Sequence, residues 1–370
     1  MRIVSPLLKH AVYPAMHRVG WLARIHPNSG YAVVNYHGVV PSDHVPSDHS
    51  SSDRASSNHS GAESFLDGNL VRPEVLRKQL QFLRKDFEII HPEDFRGWVE
   101  QDKPLPPRAV LLTCDDGLLN TLTDMLPVLR SEGVFCLFFV TGASSGDDPG
   151  KLDPRTLWPR MLCYEELYRL MQTGALSESD LELPAEAEPE SSSKTFQDRW
   201  WRTVRRASRL NAAARSDWMN RVRSHCGAKQ SLGSERRWRL LNITELRLLS
   251  DAGMSIGAHT SSHPILSLCS DEEARREIQE SKIELERALG RTVWAFAYPF
   301  GNPSTMGERE IRLAREARYA CAFLNVEHWG SAPSDRFAIP RTHVTSQTTL
   351  AEFAAHLSGL HNRLQRAVGG

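Results

Sequence analysis

Apolar and polar positions along this chain follow a repeating order. Residues 31–40 (YAVVNYHGVV) read as a buried strand that runs into a turn. In residues 72–85, Val75, Leu76, Leu80 and Leu83 share one helical face and Pro73 takes a first-turn position, which predicts an amphipathic helix. Residues 87–90 read as a short strand, 91–99 as a short helix and 103–108 as a Pro-rich connector. The apolar run 109–114 has strand length and ends in Asp115-Asp116-Gly117. Residues 118–131 are helical in pattern, and 134–141 (VFCLFFVT) is rich in the branched and aromatic residues that strands favour. Strand, helix and strand at this spacing form a βαβ unit and predict a parallel sheet. The order resumes past residue 240, with a helix at 243–252, a strand at 254–258 and a long charged helix with a polar outer face at 271–289. A strand at 293–298, a helix at 304–316, strands at 319–323 and 336–344 and an amphipathic helix at 349–367 complete it.

Two stretches break the order. Residues 41–64 are dominated by Ser, Asp, His and Pro and cannot form a core. Their His44, His49 and His59, beside Asp43, Asp48 and Asp53, suit a solvated loop; a metal site there would need the loop to be ordered. Residues 145–240 read as a mostly helical insertion, with helical text at 161–170, an acidic segment (LELPAEAEPESSS) and a basic, Trp-rich helix at 200–209.

The 370 residues carry 45 Lys+Arg against 45 Asp+Glu, which argues against a nucleic-acid partner. The length allows several domains or one large α/β barrel with insertions. The alternation predicts a barrel or a doubly wound sheet over 31–345 that carries the insertion, preceded by a basic segment (1–30) and followed by a C-terminal helix (346–370). A mean hydropathy of −0.41 excludes a polytopic membrane protein. The six cysteines are scattered without a CxxC, as expected of reduced thiols in a cytoplasmic protein. The N-terminal segment does not read as a secretory signal, because Lys9, His10, Pro14, His17 and Arg18 interrupt its apolar positions. It has two readings. Leu7, Leu8, Val12, Trp21 and Leu22 could insert into the inner face of a membrane, or the segment could pack on the domain as an ordinary amphipathic helix.

In parallel-sheet folds, active sites gather at the C-terminal edges of strands. Those edges here deliver His37, Asp115, Asp116, His259, His263, Tyr298, Phe300 and the pair Arg341 and His343. Adjacent carboxylates at a strand end point differently, so one can hold a metal while the other stays free as a base. The plain alternative is that Asp-Asp-Gly is only a turn. His259 and His263 are four apart, but Pro264 disfavours a helix at His263, so this is a loop pair able to bring both imidazoles to one ion. Two His and one carboxylate form a common catalytic zinc set with a position left open. Tyr298, Pro299 and Phe300 end an apolar strand in a rigid turn and form the candidate substrate and oxyanion segment, the Phe300 N–H being the candidate donor.

In this order TCDDG, HTSSHP and FAYPFG resemble the polysaccharide deacetylases of carbohydrate esterase family four, whose motifs run TFDDG, H-S/T-x-x-H-P and R-x-P-Y/F. The resemblance spans residues 31–144 and 241–345. It implies a deformed (β/α)7-type barrel and a metal-dependent hydrolase that removes N-acyl, chiefly N-acetyl, groups from amino sugars. It further implies Asp116, His259 and His263 as metal ligands, Asp115 as the base and the Phe300 N–H as the oxyanion donor. Zinc is the expected ion, and cobalt or nickel fit the same donors.

Two departures follow. Ala297 stands where the family carries the Arg that steadies the base, and Arg341 is the candidate substitute. The family's final strand ending in His is absent near the C-terminus, whereas Val33-Val34-Asn35-Tyr36-His37 has its form. The chain is thus similar to the circularly permuted deacetylases of exopolysaccharide pathways, with His37 as candidate general acid and His343 as the alternative. The implied partner is an N-acylated saccharide. The basic N-terminus and the segment around Trp200, Trp201, Arg202, Arg205 and Arg206 suit a lipid-linked one. Ala297 also keeps open a catalytically impaired, deacetylase-like sugar-binding or assembly module, and an amidase on a small non-sugar amide is the third reading.

Overall fold

The computed structural model describes residues 8–18, 30–40, 67–142, 163–172, 176, 179–181, 195–225, 238–326 and 335–361. Strands β1 (Ala32–Tyr36), β2 (Glu88–Ile89), β3 (Ala109–Cys114), β4 (Leu137–Val140), β5 (Ser255–Ala258), β6 (Ala295–Ala297), β7 (Cys321–Phe323) and β8 (Thr342–His343) pair in parallel. Their order is β7-β6-β5-β4-β3-β1-β8, with β2 also on β3. The helices are α1 (Tyr13–Arg18), α2 (Pro73–Asp86), α3 (Pro92–Gln101), α4 (Leu126–Ser131), α5 (Cys163–Gln172), α6 (Phe196–Ala207), α7 (Ala212–His225), α8 (Ile243–Asp251), α9 (Asp271–Leu289), α10 (Glu308–Glu316) and α11 (Leu350–Leu357). Sheet and helices form the deformed (β/α) barrel that the family resemblance implies, not the doubly wound sheet that the alternation also allowed.

Period-two alternation sorts the strand residues onto two faces. Val34 and Tyr36 of β1, Val110, Leu112 and Cys114 of β3, and Phe296 of β6 meet the helix layer, among them Leu76, Leu80 and Leu83 of α2. Val33, Ala109, Leu111, Leu137, Phe139, Ala295 and Ala297 face inward, with Phe95 of α3 beneath them. Asn35 and Thr113 share the inward parity, so they stand under the residues that end these strands. Residues 336–344 are predicted as one strand, and only Thr342–His343 is one. The segment spans a gap instead. Ile339 pairs with Phe323 of β7, and Thr342 and His343 pair with Val34 and Asn35 of β1. A single straight strand cannot serve two edges, and this crossing brings the two ends of the sheet together.

Several other boundaries differ from the pattern. The helix predicted at 304–316 begins only at Glu308, because Asn302 to Thr305 form a turn closed by the Thr305 N–H on the Asn302 carbonyl. The run 118–131 starts with a wide turn (Thr121–Met125) before α4. The C-terminal helix ends at Leu357, and residues past 361 lie outside the described ones. Leu8 and Val12, two of the side chains that could have entered a membrane, pack with Tyr13 against Ala351, Ala354 and Ala355 of α11. That part of the apolar face is used within the protein; Leu7, Trp21 and Leu22 lie outside the described residues. Among the described residues no helix is long and apolar enough to cross a membrane.

The insertion has its own core. Trp200, Trp218 and Trp238 are buried among Tyr164, Leu167, Met219 and Val222. Trp200 donates its ring N–H to the Tyr164 carbonyl (2.8 Å), so this member of the segment expected to suit a lipid-linked saccharide is part of the insertion's core. The acidic segment, Cys226 and the His-rich stretch 41–64 lie outside the described residues. The insertion's exit is stitched to the first motif: the Leu119 N–H donates to the Arg239 carbonyl (2.7 Å) and the Leu241 N–H to the Gly117 carbonyl (2.8 Å).

Candidate functional site

The C-terminal edge of the sheet gathers nearly every candidate residue. The β1–β3 register pairs Tyr36 with Cys114, so the next residues, His37 and Asp115, leave the sheet side by side. The β4–β5 register pairs Val140 with Ala258, which places His259 at the same edge. Asp116, His259 and His263 are buried and offer one ligand atom each, all within 4.8 Å of one another. Asp116 Oδ1 lies 3.4 Å from His263 Nε2 and 3.7 Å from His259 Nε2.

The tautomer of His259 can be derived. His259 Nδ1 lies 2.8 Å from the Ala297 carbonyl oxygen. A carbonyl only accepts, so Nδ1 carries the proton and Nε2 presents a lone pair to the Asp116 carboxylate. Burial pushes His259 down to about 4, which keeps the ring neutral. Both Asp116 oxygens are buried and accept no hydrogen bond among the described residues. A buried anion facing a lone pair is unfavourable unless a cation lies between them. The donor set, two imidazole nitrogens and a carboxylate, is the one zinc, cobalt and nickel take. These residues therefore fit a divalent ion.

The backbone is bent to make the cluster. Among the described residues seven non-glycine residues have positive φ, and four of them are here: Asp116 (75°), Thr260 (66°), His263 (57°) and Phe300 (60°). Such conformations cost of order 1–3 kcal/mol each and persist where surrounding contacts enforce them. Gly117 (φ 78°) makes the turn below Asp116, and a Cβ there would lie 2.9 Å from Val140 Cγ1.

Asp115 is held differently. Arg341, fully buried, donates to both its oxygens: Nη1 to Oδ1 (2.7 Å) and Nη2 to Oδ2 (2.6 Å). Asn35 Nδ2 adds a third donor to Oδ2 (2.9 Å). Arg341 in turn reaches Asn35 Oδ1 (3.0 Å), Thr113 Oγ1 (3.2 Å) and the Leu324 carbonyl (2.8 Å). Burial alone would raise the Asp115 carboxyl, but Arg341, with His259 and His37, outweighs it and holds the group well below the usual carboxylate range. Asp116 is also raised by burial and lowered by His263, His37 and His259, with a net lowering. Sequence reasoning reached Arg341 but missed Asn35 and Thr113. Their signal was parity: each lies two residues before a site residue on its strand.

His37 and His343 face each other, ring centroids 4.7 Å apart, at the ends of neighbouring strands. Burial, then the charge of His37, pushes His343 down to about 3, which leaves it neutral near physiological pH and unfit to donate as an imidazolium. His37 thus remains the acid candidate of the two.

Tyr298 is a correction. It follows Phe296 on the outward face of β6, so its ring enters the helix-side core and its hydroxyl donates to the Phe337 carbonyl (3.0 Å). Parity turns it away from the site. Pro299 and Phe300 do lie at the edge. The Phe300 N–H meets no acceptor among the described residues, and its ring packs on His263 (4.8 Å between centroids). Tyr164 of α5 also packs on His263 (5.1 Å), and Trp201 of α6 on Phe300 (5.4 Å), so the insertion lines one wall of the site. Nothing in the sequence pattern placed that wall.

A family model described as polysaccharide deacetylase matches residues 234–321, the part that carries the second and third motifs. No curated protein matches the chain. Among solved structures, the deacetylase PplD of Streptococcus pyogenes, in complex with acetate, is 15% identical over 88% of this chain and 97% of its own, with a TM-score of 0.52. IcaB from Ammonifex degensii is 16% identical over 90% of this chain and 99% of its own, with a TM-score of 0.51. A de-N-acetylase from Aggregatibacter actinomycetemcomitans is 12% identical over 88% and 99%, with a TM-score of 0.51. At such identities the likeness is one of fold. The chain therefore has the fold shared by these deacetylases, and residues 234–321 match the polysaccharide deacetylase family itself.

Proposed function

We propose that the protein is a metal-dependent hydrolase that removes an N-acyl group, N-acetyl first, from an amino sugar of a polysaccharide or lipid-linked glycan under construction. The observation that carries this reading is the buried Asp116 carboxylate, with both oxygens unsatisfied, opposite two imidazole nitrogens. The polysaccharide deacetylase match and the deacetylase fold support a carbohydrate amide as substrate. Acetate bound to PplD fits an N-acetyl group as the one removed.

Asp116, His259 and His263 would hold the ion, zinc by preference. When bound, the ion supplies a Lewis acid that polarises the acyl oxygen and acidifies a water. Asp115 takes the proton from the attacking water, and Arg341 and Asn35 fix the direction of its lone pairs. A carboxylate held so low is a weak proton acceptor, so its role would depend on the acidity that a bound ion would confer on the water. The Phe300 N–H is the donor available to the developing oxyanion. His37, beside Asp115 at the mouth, gives its proton to the departing amine. A cytoplasmic setting and a lipid-linked substrate belong to this proposal as its outer parts.

The experiment is metal analysis coupled to release of acetate and free amine from N-acetylated and lipid-linked sugars. Asp116→Asn and His263→Ala are expected to lose both metal and activity, while Asp115→Ala keeps metal and loses amine release. Activity unchanged in Asp115→Ala would remove that residue from its role. A wild-type chain with no metal and no response to added zinc or cobalt would favour the impaired binding module.

A further inference from the structure

The loop that carries both imidazoles, 259–263, contains two residues at positive φ, Thr260 and His263, so something must enforce its shape. The Thr260 hydroxyl accepts from the His263 N–H (3.0 Å), which closes the loop from inside. From outside, Glu277 of α9 accepts the Ser261 and Ser262 N–H groups on one oxygen, Oε2, at 2.9 Å each. Its other oxygen accepts the Ser262 hydroxyl and Arg215 Nη2, the latter at 2.9 Å. Arg215 stands on α7 of the insertion, donates to Ser262 Oγ and anchors Nη1 on the Leu210 carbonyl (2.9 Å). Glu277 and Arg215 are 2% and 5% exposed. Apolar residues of similar volume are often as stable as a salt bridge this deep, so its presence is weak evidence of a purely stabilising role.

We infer that Glu277 and Arg215 are positioning residues for the metal-binding loop, so that the helical insertion is a working part of the centre. Glu277 draws two consecutive N–H groups to one point, which fixes the turn between His259 and His263. Arg215 neutralises Glu277 and ties its place to the packing of the insertion. Neither residue touches the reacting atoms. The assignment rests on reading Asp116, His259 and His263 as a metal centre, and the test below separates the two ideas.

Glu277→Gln keeps the volume, but in either amide orientation its NH2 opposes a donor, the two N–H groups or Arg215. Arg215→Met leaves Glu277 without its counter-charge, and Arg215→Lys keeps the charge without the planar fork. The variants are loaded with cobalt(II), followed by titration and visible absorption, and amide exchange at Ser261 and Ser262 is read in the metal-free chain. Glu277→Gln and Arg215→Met are expected to weaken cobalt affinity by about 10–100-fold, to alter the cobalt spectrum and to speed exchange at both amides, with Arg215→Lys closer to wild type. Cobalt affinity within twofold of wild type, with unchanged amide exchange, overturns the assignment. If wild type takes up no cobalt, the metal reading fails, and the amide exchange alone decides: faster exchange in the variants upholds the clasp, unchanged exchange overturns it. Should Glu277→Gln not fold, Ser262→Ala, which removes only the bridging hydroxyl, is expected to show the same changes more weakly, and wild-type behaviour in it counts against the clasp.

Discussion

Arg341→Met tests the central electrostatic claim. The guanidinium is fully buried and makes five hydrogen bonds, two of them to Asp115. Methionine fills similar volume between Phe139 and Phe323, whose rings lie 5.4 and 6.0 Å from the guanidinium carbon, so packing is largely kept. What is lost is the counter-charge of a carboxylate that is 2% exposed and then retains Asn35 as its side-chain donor. Removing one partner of a buried ion pair typically costs about 3–5 kcal/mol. At about 2 °C per kcal/mol for a long chain, Tm should fall by roughly 6–10 °C. Removing both partners should cost much less, because no uncompensated charge remains. The assay is therefore a double-mutant cycle with Asp115→Asn, followed by thermal or urea unfolding of all four proteins. The expected coupling is about 2 kcal/mol or more. Metal content should be unchanged throughout, since Arg341 donates to none of the three candidate ligands, while kcat/KM falls by about 10²-fold or more in Arg341→Met as the base loses its orientation. Additive single effects, or a single-variant cost below about 1 kcal/mol, would refute the claim that Arg341 replaces the arginine missing at Ala297.

Other outcomes follow from the same geometry. Tyr298→Phe removes a buried hydroxyl bonded to Phe337; it should cost about 1 kcal/mol in urea unfolding and leave KM unchanged, whereas a raised KM would return Tyr298 to the substrate site. Gly117→Ala puts a Cβ at positive φ and against Val140, so about 1–2 kcal/mol of stability should be lost from conformation alone, with metal uptake impaired alongside. Glu284, half-buried on α9, is raised from 4.5 to about 7 by burial and then by Glu280. Since the folded value is the higher one, stability is full below about 4.5 and is lost as pH rises through about 7. At about 1.4 kcal/mol per unit, reduced by roughly half for its exposure, the loss is about 1–2 kcal/mol. Glu284→Gln should flatten that slope in Tm measured from pH 4 to 8, and an unchanged slope would refute the assignment.

The residues of the centre were readable in unequal measure. Asp115, Asp116 and His259 announced themselves because they follow apolar runs of strand length, and a parallel sheet brings such ends to one edge; His263 was legible through its spacing of four from His259 and the Pro264 that follows it. Asn35 and Thr113 were readable in principle, by stepping back two positions from His37 and Asp115. Tyr298 was misplaced because its neighbourhood in sequence outweighed its parity on β6. Glu277 was hidden by its surroundings: in a helix reading DEEARREIQESKIELERAL a glutamate looks solvated, yet Glu273, Glu277 and Ser281 form a buried polar stripe. Arg215 and the wall of Tyr164 and Trp201 belong to an insertion whose text carries helix signals but no address.

By itself, the sequence determined the parallel alternation of strand and helix, the edge on which chemistry would lie and the residue types able to hold an ion. These depend on local periodicity and on what each strand end delivers, and both are written in order along the chain. Only the tertiary structure decided which groups meet across it. It set Arg341 on Asp115 across 226 positions and Arg215 on Glu277 across 62. The physical reason is that a buried charge must find its partner in space, and partners supplied by packing leave no spacing in the sequence to read.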